Sequence, residues 1–106
     1  MSYSKQIVEH YGEEYIYRQL AEEASELCHA SLKTVRSIRH ETPVTLKEAK
    51  AHALEEVADV EVMLYVLKTG VLGIQDNEEI ARIYREKMDR MIDRMIEGEP
   101  LDSNGR

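Results

Sequence analysis

Apolar positions recur through residues 13–97 at steps of three and four, the spacing that lines one face of an α-helix. Ile16, Leu20, Ala24, Leu27, Ser31, Val35 and Ile38 make one such stripe, and Ile80, Tyr84, Met88, Met91 and Met95 make another. Residues 60–67 differ. Only Glu61 is charged there, so apolar groups point all round, and the segment is expected to be buried on several sides. Glycine and proline supply the breaks. Gly12, Pro43, Gly70, Gly73, Gly98 and Pro100 leave uninterrupted stretches at 13–42, 44–69 and 74–97, all rich in strong helix formers. The pattern predicts a short helix near 4–11 and three long ones. Thr45-Leu46-Lys47-Glu48 reads as a capping box, and Asp76-Asn77-Glu78-Glu79 as an acidic variant of one. Gly12, Gly70 and Gly98 read as C-terminal caps.

Length and composition narrow this picture. The chain has 106 residues, enough for one core, so we expect a single all-α domain over 1–99 with a frayed tail at 100–106. Three long helices and a short one do not easily surround an all-round apolar segment. The expected architecture is therefore a helical bundle completed by oligomerisation, as a dimer or tetramer. Fourteen basic against twenty-one acidic residues give a net charge of −7, which argues against binding nucleic acid. The longest apolar run, 62–67, is far short of the roughly 20 residues of a membrane span. The first residues lack the apolar stretch of a secretory signal, and the single cysteine, Cys28, forms no internal disulfide. A soluble, cytoplasmic protein is expected.

Charge becomes informative at one local repeat. Ala21-Glu22-Glu23-Ala24-Ser25-Glu26-Leu27 matches Leu54-Glu55-Glu56-Val57-Ala58-Asp59-Val60, 33 residues on. Residues three apart share a helix face, so Glu23/Glu26 and Glu56/Asp59 form two carboxylate pincers. Glu56 falls within its apolar stripe and Glu23 at the edge of its own. Carboxylates facing an interior are costly unless paired or metal-bound, and four together repel one another. A divalent cation relieves both penalties, and carboxylate oxygens suit Mg²⁺, Mn²⁺ or Ca²⁺. The competing reading is a solvated acidic surface. Glu22 and Glu55 turn farther from the stripes and read as outer carboxylates.

With EExxE at 22–26 and ExxD at 56–59, the chain resembles the MazG-like all-α nucleoside triphosphate pyrophosphohydrolases, over about residues 15–67 and more loosely through 80–97. The resemblance implies a bundle assembled as a dimer or tetramer. It also implies Mg²⁺ held by Glu23, Glu26, Glu56 and Asp59, and cleavage of a (d)NTP to the monophosphate and pyrophosphate. That family tends to carry a Lys in its last long helix with an Asn four residues on. Lys87 fits the Lys, but Met91 stands at the Asn position.

Phosphate needs positive charge, and the last helix supplies Lys87, Arg90 and Arg94 on one face. Glu86, Asp89 and Asp93 are interleaved, so a salt-bridged surface is the plain alternative. Tyr15 and Tyr17 precede the first signature, where a base could rest, although packing is the commoner role for Tyr; Tyr65 and Tyr84 read as core. Glu22 or Glu55 could take a proton from a metal-activated water. The primary expectation is thus a Mg²⁺-dependent (Mn²⁺ also suits) nucleotide pyrophosphohydrolase. The alternatives are a non-enzymatic helical oligomerisation module and, from Glu26-Leu27-Cys28-His29, a di-iron carboxylate bundle.

Overall fold

A computed structural model of the chain describes residues 2–98. They form four α-helices: α1 (Tyr3–Tyr11), α2 (Glu13–Ile38), α3 (Leu46–Val66) and α4 (Ile74–Glu97). A single π turn, Leu67–Val71, extends α3. Among the described residues there is no strand, as the apolar spacing predicts. No helix is long and apolar enough to cross a membrane among them. The expected tail at 100–106 lies outside the described residues. By compactness the chain divides into two units, one running to Leu72 and the other starting at Gly73.

In the first unit, α2 and α3 form an antiparallel hairpin. Ser37 meets Val44 beside the connecting loop, Glu23 meets Glu56 farther along, and Ile16 packs with Val66 and Leu67 at the far end. The loop is closed at both ends by local hydrogen bonds. Glu41 N–H donates to the Arg36 carbonyl at 2.9 Å across His40, which takes the left-handed conformation at φ 58°. Ser37 Oγ donates to the Val44 carbonyl at 3.1 Å, and Thr45 Oγ1 accepts from Glu48 N–H at 3.2 Å, the cap the sequence predicts.

The seam of α2 follows a strict alternation of four and three: Ile16, Leu20, Glu23, Leu27, Ala30, Thr34 and Ser37 are buried or half-buried. This corrects the apolar stripe read from sequence. Ala24, Ser31, Val35 and Ile38 are exposed, because at each of these four steps the seam takes the preceding residue, Leu27 alone being shared beyond Leu20. Polar letters hid it. Thr34 returns its hydroxyl to the Ala30 carbonyl at 2.9 Å and Ser37 to Val44, so both can be buried satisfied. On α3 the matching line is Ala49, Ala53, Glu56, Val60, Met63 and Val66.

The apolar core sits at the end remote from the loop. Ile16, Val66 and Leu67 are buried there, with Val8, Leu20, Met63, Val71 and Leu72 packed against them. The expected all-round burial of residues 60–67 is not met within this chain: Val62 and Tyr65 are about three-fifths exposed. Tyr84 is exposed as well, so neither Tyr65 nor Tyr84 is a core residue here. Gly70 is not a cap but lies inside the π turn. A Cβ there would stand 2.7 Å from Val8 Cγ2 and 2.8 Å from the Ser4 carbonyl oxygen, so the missing side chain is what lets α1 dock. The Ser4 and Thr69 hydroxyls, 2.6 Å apart, secure the same contact.

In the second unit, α4 begins at Ile74, two residues before the expected acidic cap. Gly73 is its N-cap in extended backbone, and Asp76 sits at the third helical position, where Oδ2 accepts from Gly73 N–H at 3.0 Å. Asp76 therefore caps by reaching back, the reciprocal half of a capping box. Gly12 and Gly98 are helix C-caps with φ of 91° and 77°, as expected.

Candidate metal centre

The hairpin seam carries two glutamates midway along its length, and packing α2 on α3 brings them together. Carboxylate oxygens of Glu23, Glu56 and Asp59 lie within 4.8 Å of one another. Glu26 stands near enough to Glu56 for its charge to act on that carboxyl. Burial is graded: Glu56 is only 7 % exposed, Glu23 is half-buried and Asp59 is exposed. The cluster is therefore deep at Glu56 and reachable from solvent at Asp59.

Two oxygens distinguish this cluster from an ordinary acidic surface. Glu23 Oε2 and Glu56 Oε2 are both buried, and neither accepts a hydrogen bond from the described residues. A buried acceptor left without a donor carries its full desolvation cost. The electrostatics agree in direction. Burial, first, pushes the Glu56 carboxyl above its ordinary value, and the neighbouring carboxylates of Glu26 and Asp59 push the same way; only His52 opposes. A hard divalent cation supplies what this donor set lacks, namely positive charge and a partner for the two bare oxygens.

Three of the four carboxylates expected as metal ligands, those of Glu23, Glu56 and Asp59, are thus gathered at one place, while Glu26 is exposed and outside that group. Two flanking side chains escaped the sequence reading. Gln19 Nε2 donates to Glu23 Oε1 at 3.0 Å, and His52 Nε2 stands 3.3 Å from Glu56 Oε1. The signal was present: Gln19 and His52 are separated by the same 33 residues as the two acidic signatures, and each precedes its glutamate by one turn.

The other expected site residues are placed as follows. Glu22 and Glu55 are exposed, one position from the clustered glutamates. Tyr15 is exposed and stacks on Tyr11, ring centroids 4.6 Å apart and planes at 19°, so one of its faces is already covered. Lys87, Arg90 and Arg94 lie on α4 in the second unit; Lys87 and Arg90 are exposed, and Arg94 is half-buried. Among the described residues, none of the three forms an ion pair. Glu86 pairs instead with Arg82, which also holds Glu79 and keeps that carboxyl below its ordinary value. His29, which the di-iron reading needs, is exposed and outside the three-carboxylate group.

Comparison with models of protein families, with curated proteins and with solved structures finds no match to this chain.

Proposed function

We propose that the protein is a divalent-cation-dependent nucleotide pyrophosphohydrolase. One observation carries the metal half of this reading: two buried, bare carboxylate oxygens, on Glu23 and Glu56, in a cluster completed by Asp59. Glu23, Glu56 and Asp59 would hold Mg²⁺ or Mn²⁺, with Glu26 as the fourth carboxylate beside Glu56. When bound, such an ion neutralises phosphate oxygens and acidifies a water molecule. The chain's own groups then have distinct tasks. The clustered carboxylates hold the cation, while the exposed Glu22 or Glu55 accepts a proton. Tyr15 offers an aromatic edge to a base; Lys87, Arg90 and Arg94, in the second unit, are the basic groups the sequence offers for phosphate. The substrate class, a (d)NTP cut to monophosphate and pyrophosphate, rests on the resemblance of 22–26 and 56–59 to the MazG-like enzymes.

Assembly belongs to the same proposal. Leu54, Val62 and Tyr65 leave large apolar surface on α3, and no residue of α4 is buried. A second copy of the chain is the partner we propose, as a dimer or tetramer. This apolar surface is also what favours the rival reading, a helical oligomerisation module without activity.

The deciding experiment is a panel of (d)NTPs with Mg²⁺, read by pyrophosphate release, for the wild type and Glu56→Gln. We expect turnover of at least one triphosphate, lost in the variant by at least ~10³-fold. Magnesium binding without turnover of any triphosphate would leave a metal site but refute the enzyme.

A further inference from the structure

The cation reading leaves unexplained why Glu23 and Glu56 each keep one buried oxygen bare rather than both or neither. On α2, Gln19 engages Oε1 of Glu23 and leaves Oε2 buried without a donor. On α3, His52 stands against Oε1 of Glu56 and leaves Oε2 buried without a donor. The two flanking groups recur at the same spacing on two helices that carry the same acidic repeat, Gln19 through a hydrogen bond of 3.0 Å and His52 through an ion-pair contact of 3.3 Å. A glutamate's terminal torsion is soft and nearly two-fold, so a carboxylate without a side-chain partner presents its oxygens interchangeably. One donor, placed a turn earlier, removes that freedom.

We infer that Gln19 and His52 are positioning residues: each holds Oε1 of the glutamate one turn later, so that Oε2 of Glu23 and Oε2 of Glu56 are presented together to one divalent cation. This rests on the cation reading of the cluster and deepens it. The residue types fit the task. A Lys or Arg at position 19 would hold the oxygen equally well but would cancel the negative charge a cation needs. The amide of Gln19 holds the oxygen and leaves the charge in place. His52 is outside the three-carboxylate group, and the Gln19 amide N–H is engaged by Glu23 Oε1, so both are assigned a role through the glutamates. Groups of this kind orient ligands at metal sites, and their loss typically weakens binding by about 10–100-fold.

The competing account is simple helix-surface pairing four residues apart, which would affect helix stability and leave the cation untouched. The test is a Mn²⁺ titration of the full chain followed by electron paramagnetic resonance of the free ion. It compares wild type, the donor-less Gln19→Met and His52→Leu, and the exchanges Gln19→His and His52→Gln. Each exchange installs the donor that the other half of the repeat uses. Thermal melts followed by circular dichroism, without metal, check that every variant is folded. We expect about 10–100-fold weaker Mn²⁺ binding in the donor-less variants and recovery of most of the affinity in the exchanges. Donor-less variants that titrate like a Mn²⁺-binding wild type would overturn the inference and leave the metal site standing. Loss that the exchange does not recover would show a packing role, and would overturn it for that residue. A wild-type chain that takes up no Mn²⁺ would overturn the cation reading, and this inference with it.

Discussion

Replacing Glu56 with Gln separates the cost of the carboxylate cluster from its use. The substitution keeps the shape of the side chain and removes one charge from a group 7 % exposed, beside Glu26 and Asp59 and opposed only by His52. Without metal, the variant is therefore expected to melt higher than the wild type. With metal the order should reverse. A ligand that binds only the folded chain stabilises it by RT ln(1 + [L]/Kd), about 2.7 kcal/mol at a hundred times Kd. If losing Glu56 weakens binding by ~100-fold, the same metal concentration is only about one Kd for the variant, and the gain falls to ~0.4 kcal/mol. At roughly 4–8 °C per kcal/mol for a domain of this size, the wild type should gain about 11–22 °C and the variant about 2–3 °C. Circular dichroism melts in EDTA and in Mn²⁺ measure all four values. An equal metal-induced rise in both proteins would refute Glu56 as a ligand. A lower metal-free melting point for Glu56→Gln would refute the claim that the charge is a burden.

Three further outcomes follow from the same coordinates. Because the Glu56 carboxyl titrates above its ordinary 4.5 in the folded chain, the native state holds its proton to higher pH than the unfolded one. Its contribution is full below about 4.5 and is lost as pH rises through the folded value. The metal-free wild type should therefore lose stability relative to Glu56→Gln over that window in urea titrations, and a relative gain would contradict the assignment. Gly70→Ala should cost ~1–3 kcal/mol in melting experiments, since its Cβ would press on Val8 and on the Ser4 backbone; an unchanged melting point would show that α1 does not dock there. Light scattering at micromolar concentration should give a mass above one chain, and a 12.3 kDa particle would rule out the proposed self-assembly.

Helix number and most helix ends were legible because they depend on local chemistry. Gly12 and Gly98 adopt the positive φ that glycine favours, and Thr45 caps its own helix with its own hydroxyl. What the sequence hid depends on the neighbouring helix. Ala24 and Glu23 are adjacent, and an apolar stripe drawn from letters alone prefers the alanine. The seam instead takes the glutamate, along with Thr34 and Ser37, whose hydroxyls find backbone carbonyls. Gly70 reads as a terminator until its distance from Val8 is known. Asp76 reads as a capping residue from its type alone, but its place at the third helical position is hidden, because Gly73 offers no side chain to mark the true N-cap. At the site, the grouping of Glu23, Glu56 and Asp59 is legible from the repeat. Gln19 and His52 carry the same offset, but their partners became visible only as distances.

The antiparallel hairpin explains why a sequence repeat becomes a single site. Moving up α2 by some number of residues moves its partner down α3 by about the same number, from Ser37 with Val44 to Glu23 with Glu56 to Ile16 with Val66. Two copies of a motif can then converge only where the pairing crosses their 33-residue offset, which is the middle of the seam. Slipping α3 by one turn moves its residues about 5.4 Å along the axis. One oxygen of each of Glu23, Glu56 and Asp59 lies within 4.8 Å of the others, so such a slip would part Glu23 on α2 from Glu56 on α3. Register is therefore the quantity the fold must protect, and two devices protect it. At one end the loop is closed across His40, held at a left-handed φ of 58°, and pinned by Ser37 and Thr45. At the other, the bulky Ile16, Val66 and Leu67 are buried, while Ala30 and Ala49 occupy buried positions nearer the loop. A slipped pairing would set large side chains against positions that now hold alanine and leave voids at the far end, a penalty at both ends at once. The same packing that makes the hairpin a hairpin thus brings the carboxylates of Glu23, Glu56 and Asp59 to one place.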